Sequence, residues 1–218
     1  MFRSGPLVSA EMATWITQCF DWFDARFQVP AKPVLPTRAF FRAPAGTGHT
    51  TALAILSDVK RLLGFTLPID LVPLASLPPD LRHTYQSHSR TAGTYYEDED
   101  GRVIHYDPVL MERPLSFINT MAHEVMHARL SGMEASVPGG AEAHELATDL
   151  GCIIAGFGVF QMQAADESGW SGYMTQQSRA YALAQFLDHR GLGHEAVASY
   201  LSGRCRKLLK RGLRDLSA

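Results

Sequence analysis

Two histidines and a glutamate stand close together in the segment His123-Glu124-Val125-Met126-His127. On a helix, residues four positions apart lie one above the other, so both imidazoles would lie on the same face. Two imidazole nitrogens placed in this way can bind one Zn²⁺ ion. Glu124 lies at the edge of that face, where its carboxylate can accept a proton from a zinc-activated water. The spacing therefore predicts a zinc site with Glu124 as general base.

A zinc site with two histidines needs a third protein ligand. If the loop after the motif folds the next predicted helix antiparallel, Glu145 meets His127 and Asp149 meets His123. We expect Glu145 to complete the metal site. We expect Asp149 to accept a hydrogen bond from the distal ring nitrogen of His123, which fixes the orientation of that ligand. The alternative third ligands, which the sequence leaves open, are Glu142, His144 and Asp149 itself.

This pattern of His123-Glu-x-x-His127, then Glu145, then Asp149 four residues later, resembles that of the gluzincin class of zinc metallopeptidases. In that class the third ligand is a glutamate on the following helix, in a Glu-x-x-x-Asp pattern. The resemblance covers residues 120 to 150, and it implies a zinc-dependent hydrolase that cleaves peptide bonds in a peptide or protein substrate. The metzincin pattern, with glycine at 130 and histidine at 133, does not fit, because the chain has Leu130 and Met133.

Amide hydrolysis also needs a side chain that stabilises the oxyanion, usually that of a tyrosine, histidine or arginine. Four such residues follow the predicted metal site, and we favour the two in the middle of the predicted helix, Arg179 and Tyr181. The full set is Tyr173, Arg179, Tyr181 and His189.

The elements that must position these residues change in character along the chain. All twelve prolines lie at or before Pro138, so the first part is expected to be rich in turns and the second part mainly helical. We predict an α+β, zincin-like fold in a single domain. Residues 1–112 would form a mixed lobe with a small sheet, and residues 113–218 a helical lobe that carries the metal site, with the motif helix between them.

Apolar periodicity and turn signals place the individual elements. Helices are predicted at 8–27, 49–63, 114–130, 141–157, 174–189 and 194–213, the last broken near Gly203. Strands are predicted at 69–74, 91–96 and 102–106, and the last two form a hairpin around an Asp-Gly turn. The exposed edge of such a hairpin can add an extended peptide as a further strand.

Charge and composition restrict the partners. Lys and Arg total 20 against 22 for Asp and Glu, so the net charge is −2, which argues against nucleic acid or an anionic membrane as the main partner. Basic residues nevertheless concentrate near the C-terminus, where we predict a solvated helix face and, as the alternative, a docking surface for an acidic protein partner or nucleic acid. These residues are Arg204, Arg206, Lys207, Lys210, Arg211 and Arg214.

The three cysteines, Cys19, Cys152 and Cys205, are too few and too scattered for a disulfide framework, which favours a reducing compartment. The apolar stretch 150–160 is too short to span a bilayer, and the first residues do not read as a signal peptide. We therefore expect a cytoplasmic protein. An alternative function remains open, because no pro-segment is evident: a zincin-like module with little or no proteolytic activity that regulates or binds a partner.

Overall fold

The computed structural model describes residues 5–74, 93–98, 101–167 and 172–217. The chain divides into two compact units. One is Pro36–Ser131, and the other combines Met1–Leu35 with Gly132–Ala218. Helices together with one small sheet place the described residues in the α+β class, as the sequence predicts.

The sheet lies in the unit Pro36–Ser131. Its described strands are β1 (Asp70–Pro73), β2 (Gly93–Asp98) and β3 (Gly101–Tyr106). β3 is central, pairing in parallel with β1 and antiparallel with β2. This confirms the predicted hairpin, but its strands reach further than predicted, because Asp98 pairs with Gly101. Residues 91–92 of the predicted strand lie outside the described residues.

The same unit contains two long helices, α2 (His49–Leu62) and α3 (Pro114–Leu130). α3 begins and ends where the sequence predicts, with Pro114 at its first position, where the missing N–H costs nothing. α3 packs against α2 and β2. Several of its apolar side chains are completely buried in the core of the unit, among them Phe117, Met121 and Val125.

The described helices of the other unit confirm most of the remaining predictions. The helix predicted over 194–213 is broken before Gly203, where the Ser202 side chain accepts a hydrogen bond from the Cys205 N–H and so caps a new helix. These helices are α1 (Ala10–Asp24), α4 (His144–Cys152), α5 (Gly158–Glu167), α6 (Gln176–Asp188), α7 (Glu195–Ala198) and α8 (Gly203–Leu216).

One helix end was predicted wrongly. The helix expected to stop at 157 continues through a π-helical turn, Ile153–Phe157, into α5. Gly156 adopts φ +94°, and its carbonyl accepts a hydrogen bond from the Val34 N–H at 2.9 Å. A Cβ at this position would lie 3.1 Å from the Pro30 ring. Glycine therefore serves here to let another segment approach, and not to end the helix.

The helical stretch Ala141–Glu167 is long and apolar enough to cross a membrane by length and composition, with a mean hydropathy of 1.2. However, 78% of its apolar window is buried inside the protein. A core helix has the same properties, so the stretch is weak evidence for a membrane span.

The three cysteines are buried and carry free thiols. Burial raises the pKa of Cys19 to about 12. A thiol with so high a pKa is unreactive at neutral pH, so Cys19 serves the packing of the core.

Candidate metal centre

The motif histidines lie one turn apart on α3, as their spacing predicts. His123 is 5% exposed and His127 is half-buried. Their Nε2 atoms are 3.0 Å apart, and their ring planes meet at 81°. Two nitrogens that each lie about 2.1 Å from one ion, at angles between 90° and 109°, are about 3.0 to 3.4 Å apart. The two imidazoles therefore already have the separation of ligands to a shared ion.

Glu145 is the third member of this group of possible metal ligands. One ligand atom from each of His123, His127 and Glu145 lies within 4.8 Å of the other two. Glu145 belongs to the first turn of α4 and is half-buried. Two imidazole nitrogens and one carboxylate oxygen form a donor set that suits Zn²⁺ and leaves its fourth position open. The residues present therefore fit the metal that the motif predicts.

The alternative third ligands are not members of this group. Glu142 is exposed on a 3₁₀ turn before α4, although it lies only three residues from Glu145. His144 is half-buried and Asp149 is buried, and neither is in the cluster of possible metal ligands found among the described residues. The geometry therefore favours Glu145, the ligand that the sequence ranks first.

Glu124, the predicted general base, is a residue of α3 whose side chain lies against β2 of the sheet. It is 2% exposed. A Cβ at Gly93 on β2 would lie 3.2 Å from the Glu124 Oε1 atom and 2.7 Å from the Thr120 methyl group. The backbone of β2 at Gly93 thus lies close to the Glu124 carboxylate, and a Cβ at this position would force the Thr120 side chain to shift. The sequence carried a signal for it that we did not use, since glycine inside a strand often marks a close approach.

Asp149 is buried at 3% exposure and organises its surroundings through its carboxylate. Its Oδ2 atom accepts hydrogen bonds from the backbone N–H groups of Tyr173 and Met174, at 2.9 and 3.2 Å. It also accepts one from Arg179 at 3.2 Å, while Oδ1 accepts one from Gln161 at 3.4 Å. The predicted hydrogen bond between Asp149 and His123 stays a prediction.

Arg179, one of the two favoured oxyanion stabilisers, is 2% exposed and forms an ion pair with Asp149. Its Nε atom donates to Gln161 at 3.1 Å. Burial lowers the pKa of Arg179, whereas the neighbouring Asp149 raises it. The described contacts thus give this guanidinium a role in holding the Asp149 carboxylate. Sequence reasoning did not find Gln161, which carries no recognisable local signal.

The other oxyanion candidates lie in different surroundings. Tyr181 is half-buried on α6, and its pKa is raised by burial and by Asp215 of α8. His189 caps the end of α6 and packs edge-on against Phe20. Tyr173 is 50% exposed. Its backbone N–H donates a hydrogen bond to Asp149, which lies one turn after Glu145 on α4. Of the four candidates, Tyr173 is the one with both an anchored backbone and an exposed ring.

Comparisons with protein-family models, with curated proteins and with solved structures found no match to this chain. The class of the site therefore rests on the His123, His127 and Glu145 group itself: a possible metal centre with the spacing of His-Glu-x-x-His followed by a downstream acid.

Proposed function

We propose that this protein is a zinc-dependent hydrolase of the gluzincin type that cleaves peptide bonds. The observation that carries the proposal is the grouping of the His123, His127 and Glu145 ligand atoms within 4.8 Å. The neighbouring Glu124 is buried on the motif helix, as a general base beside a metal site would be. No second residue set among those described offers such a cluster of possible metal ligands.

In the proposed mechanism, His123, His127 and Glu145 hold the ion. Zn²⁺, when bound there, would supply a Lewis acid that makes water easier to deprotonate near neutral pH. Glu124 accepts a proton from the attacking water on its carboxylate and later donates it to the leaving amine. The backbone of β2 at Gly93 confines the Glu124 side chain, because it lies against the carboxylate. Such confinement keeps a general base in one position and thereby reduces the cost of orienting it.

The edge of β2 gives the proposal a substrate-binding surface. β2 pairs with β3 on one side, and within the described part of the sheet it has no partner on the other. An extended peptide can pair with such an edge through its main chain. Because β2 lies close to Glu124 at Gly93, a peptide on this edge would run next to the proposed general base. This placement favours a peptide over a compact small molecule as substrate.

Metal analysis of purified protein tests the site. Wild type is compared with Glu145→Ala and with the matched control Glu142→Ala, which removes an exposed carboxylate three residues away. We expect one zinc per chain in the wild type and in the control, and a large loss in Glu145→Ala. Loss of zinc in Glu142→Ala alone would identify Glu142 as the third ligand. A wild type that binds no zinc after reconstitution would contradict the site.

Glu124→Gln separates metal binding from catalysis. Because Glu124 is not proposed as a ligand, the variant should keep its zinc and lose turnover of a fluorogenic peptide library. Glu134→Gln, on a short 3₁₀ turn after α3, is the matched control and should remain active. Activity retained in Glu124→Gln would contradict the mechanism. A wild type that holds zinc and cleaves no peptide would favour the alternative of a zincin-like binding module.

A further inference from the structure

Helix α8 (Gly203–Leu216) has one side that is fully used in packing. Cys205, Leu209 and Gly212 are buried, and α8 makes extensive contact with α6. A Cβ at Gly212 would lie 3.0 Å from the Ala184 Cβ, so the two helices approach closely there. The apolar side of α8 is therefore covered by the protein's own α6 and is not available for insertion into a membrane.

The opposite side of α8 carries a concentrated positive charge, which we call the basic face. It has six basic residues, and the same helix has one acidic residue, Asp215, so its formal charge is 6 − 1 = +5. Since the whole chain has a charge of −2, the remaining residues carry −2 − 5 = −7. The basic face consists of Arg204, Arg206, Lys207, Lys210, Arg211 and Arg214.

This arrangement is unfavourable for the helix itself. Arg206 and Lys210, and likewise Lys207 and Arg211, are like charges four residues apart and repel each other. The first turn of α8 has no acidic residue, and cations near a helix N-terminus oppose the helix dipole. Asp215, the acid of the helix, accepts a hydrogen bond from the Leu7 N–H at 2.6 Å. The helix therefore gains no stability from the like charges on its first turns, and an anion from outside the helix would reduce their mutual repulsion.

Part of the basic face is already engaged. Arg204 pairs with Asp166 at 3.7 Å, and Arg211 donates to the Gly5 carbonyl. The exposed side chains of Arg206, Lys207 and Lys210 instead line an open depression of about 390 Å³. Its wall is completed by His194, Ala198 and Gly203. The lining thus combines three cationic side chains with the aliphatic stems of these residues and the Ala198 methyl group.

We propose that the basic face docks an acidic segment of a partner protein, in which carboxylates alternate with apolar side chains. The carboxylates would pair with Arg206, Lys207 and Lys210, and an apolar side chain would fill the depression. A helix of 14 residues is about 21 Å long, which matches about six residues of extended peptide. The remaining residues carry a charge of −7, which would repel a long polyanion such as nucleic acid wherever it extends beyond α8. A short acidic segment on α8 is repelled less, because salt screens charges more than about 10 Å apart.

Fluorescence anisotropy with a labelled peptide of four Glu-Leu repeats tests this docking. The variant is Lys207→Glu/Lys210→Glu, in which both residues are exposed. Its control, Lys32→Glu/Arg42→Glu, changes the net charge by the same amount at two exposed positions that do not belong to α8. We expect binding that weakens with added salt, that falls by about tenfold or more in the α8 variant, and that stays within about twofold in the control.

Three results would overturn the proposal. They are no binding of the peptide at low salt, equal losses in both variants, and tighter binding of single-stranded DNA of the same charge, which would identify a nucleic-acid surface instead. The proposed function does not enter this test, because α8 carries no proposed metal ligand. Peptide docking and zinc binding can therefore fail independently.

Discussion

Two buried aspartates, one in each unit, are held in nearly the same way. Asp58 on α2 is 5% exposed, and Asp149 on α4 is 3% exposed. In both, one carboxylate oxygen accepts hydrogen bonds from two successive backbone N–H groups of a neighbouring loop, and an arginine pairs with the carboxylate. The backbone donors are Arg42 and Ala43 for Asp58, and Tyr173 and Met174 for Asp149.

The arginines make the difference. Arg61 lies three residues after Asp58 on the same helix, 2.7 Å from it, with 41% of its side chain exposed. Arg179 comes from another helix, α6, and both side chains of its pair with Asp149 are at most 4% exposed. The first pair is therefore local and reached by water, whereas the second exists only once α4 and α6 have assembled. The same chemical groups should contribute very different amounts to stability.

Arg179→Met should have the largest effect. It leaves the Asp149 carboxylate buried without its cation, and breaking a buried pair from one side costs about 3–5 kcal/mol. Urea denaturation followed by circular dichroism would measure this loss in the free energy of unfolding. A loss below about 1 kcal/mol, as for an exposed ion pair, would show that burial does not distinguish the two aspartates.

Gly172→Ala should have the next largest effect. A Cβ at Gly172 would overlap the Arg179 guanidinium and lie 3.1 Å from the Asp149 Oδ2, and the residue has φ +98°. Backbone strain of this kind costs about 1–3 kcal/mol, to which the overlap adds. Gly191→Ala is the matched control, since Gly191 has φ +62° with no atom near its Cβ. Equal losses in the two variants would show that the Arg179 side chain moves aside without cost.

The same contrast explains what the sequence could predict. The bounds of α3 and the placement of His123 and His127 depend on Pro114 and on residues four positions apart, which local rules describe well. Glu145 could also be proposed, because only residues 131–143, which include two 3₁₀ turns, separate the motif helix from α4. These predictions required only that neighbouring elements follow known turn and helix patterns.

The surroundings of Asp149 were out of reach for the opposite reason. Arg179 lies thirty residues after Asp149 in the chain, and no local signal links it to an aspartate. From the sequence we considered it only as an oxyanion stabiliser. Gln161 lies on α5, beyond residue 157, where the sequence predicted that the helix stops. Long-range partners of a buried charge are set by tertiary packing, which spacing along a sequence does not encode.

Asp58→Asn should have an intermediate effect of about 1–3 kcal/mol at neutral pH, since it weakens hydrogen bonds to a charged group. Burial raises the pKa of Asp58, but the bonds from Arg61 and from the Arg42 and Ala43 N–H groups outweigh it, so the pKa lies below its usual value. A carboxylate with a lowered folded-state pKa contributes stability that is lost as the pH falls below about 4.

The stability difference between wild type and Asp58→Asn should therefore be largest at neutral pH and shrink as the solution is acidified below about pH 4. Asp70→Asn, at an exposed carboxylate on β1, is the control and should show little difference at any pH. A difference between wild type and Asp58→Asn that grows on acidification would mean that the Asp58 pKa is raised by its burial, and not lowered by its partners.

Arg61→Met should have the smallest effect, about 1 kcal/mol or less. Asp58 keeps both backbone N–H donors, and water can replace an arginine whose side chain is 41% exposed. The variant also loses the 2.6 Å hydrogen bond from Arg61 to the Phe40 carbonyl, which lies at an exposed position and is open to solvation. The ratio of the two losses in the free energy of unfolding, Arg179→Met to Arg61→Met, therefore measures how much burial strengthens an arginine–aspartate pair with two backbone N–H donors. Equal losses would mean that the two backbone N–H donors, common to both aspartates, decide the stability of each.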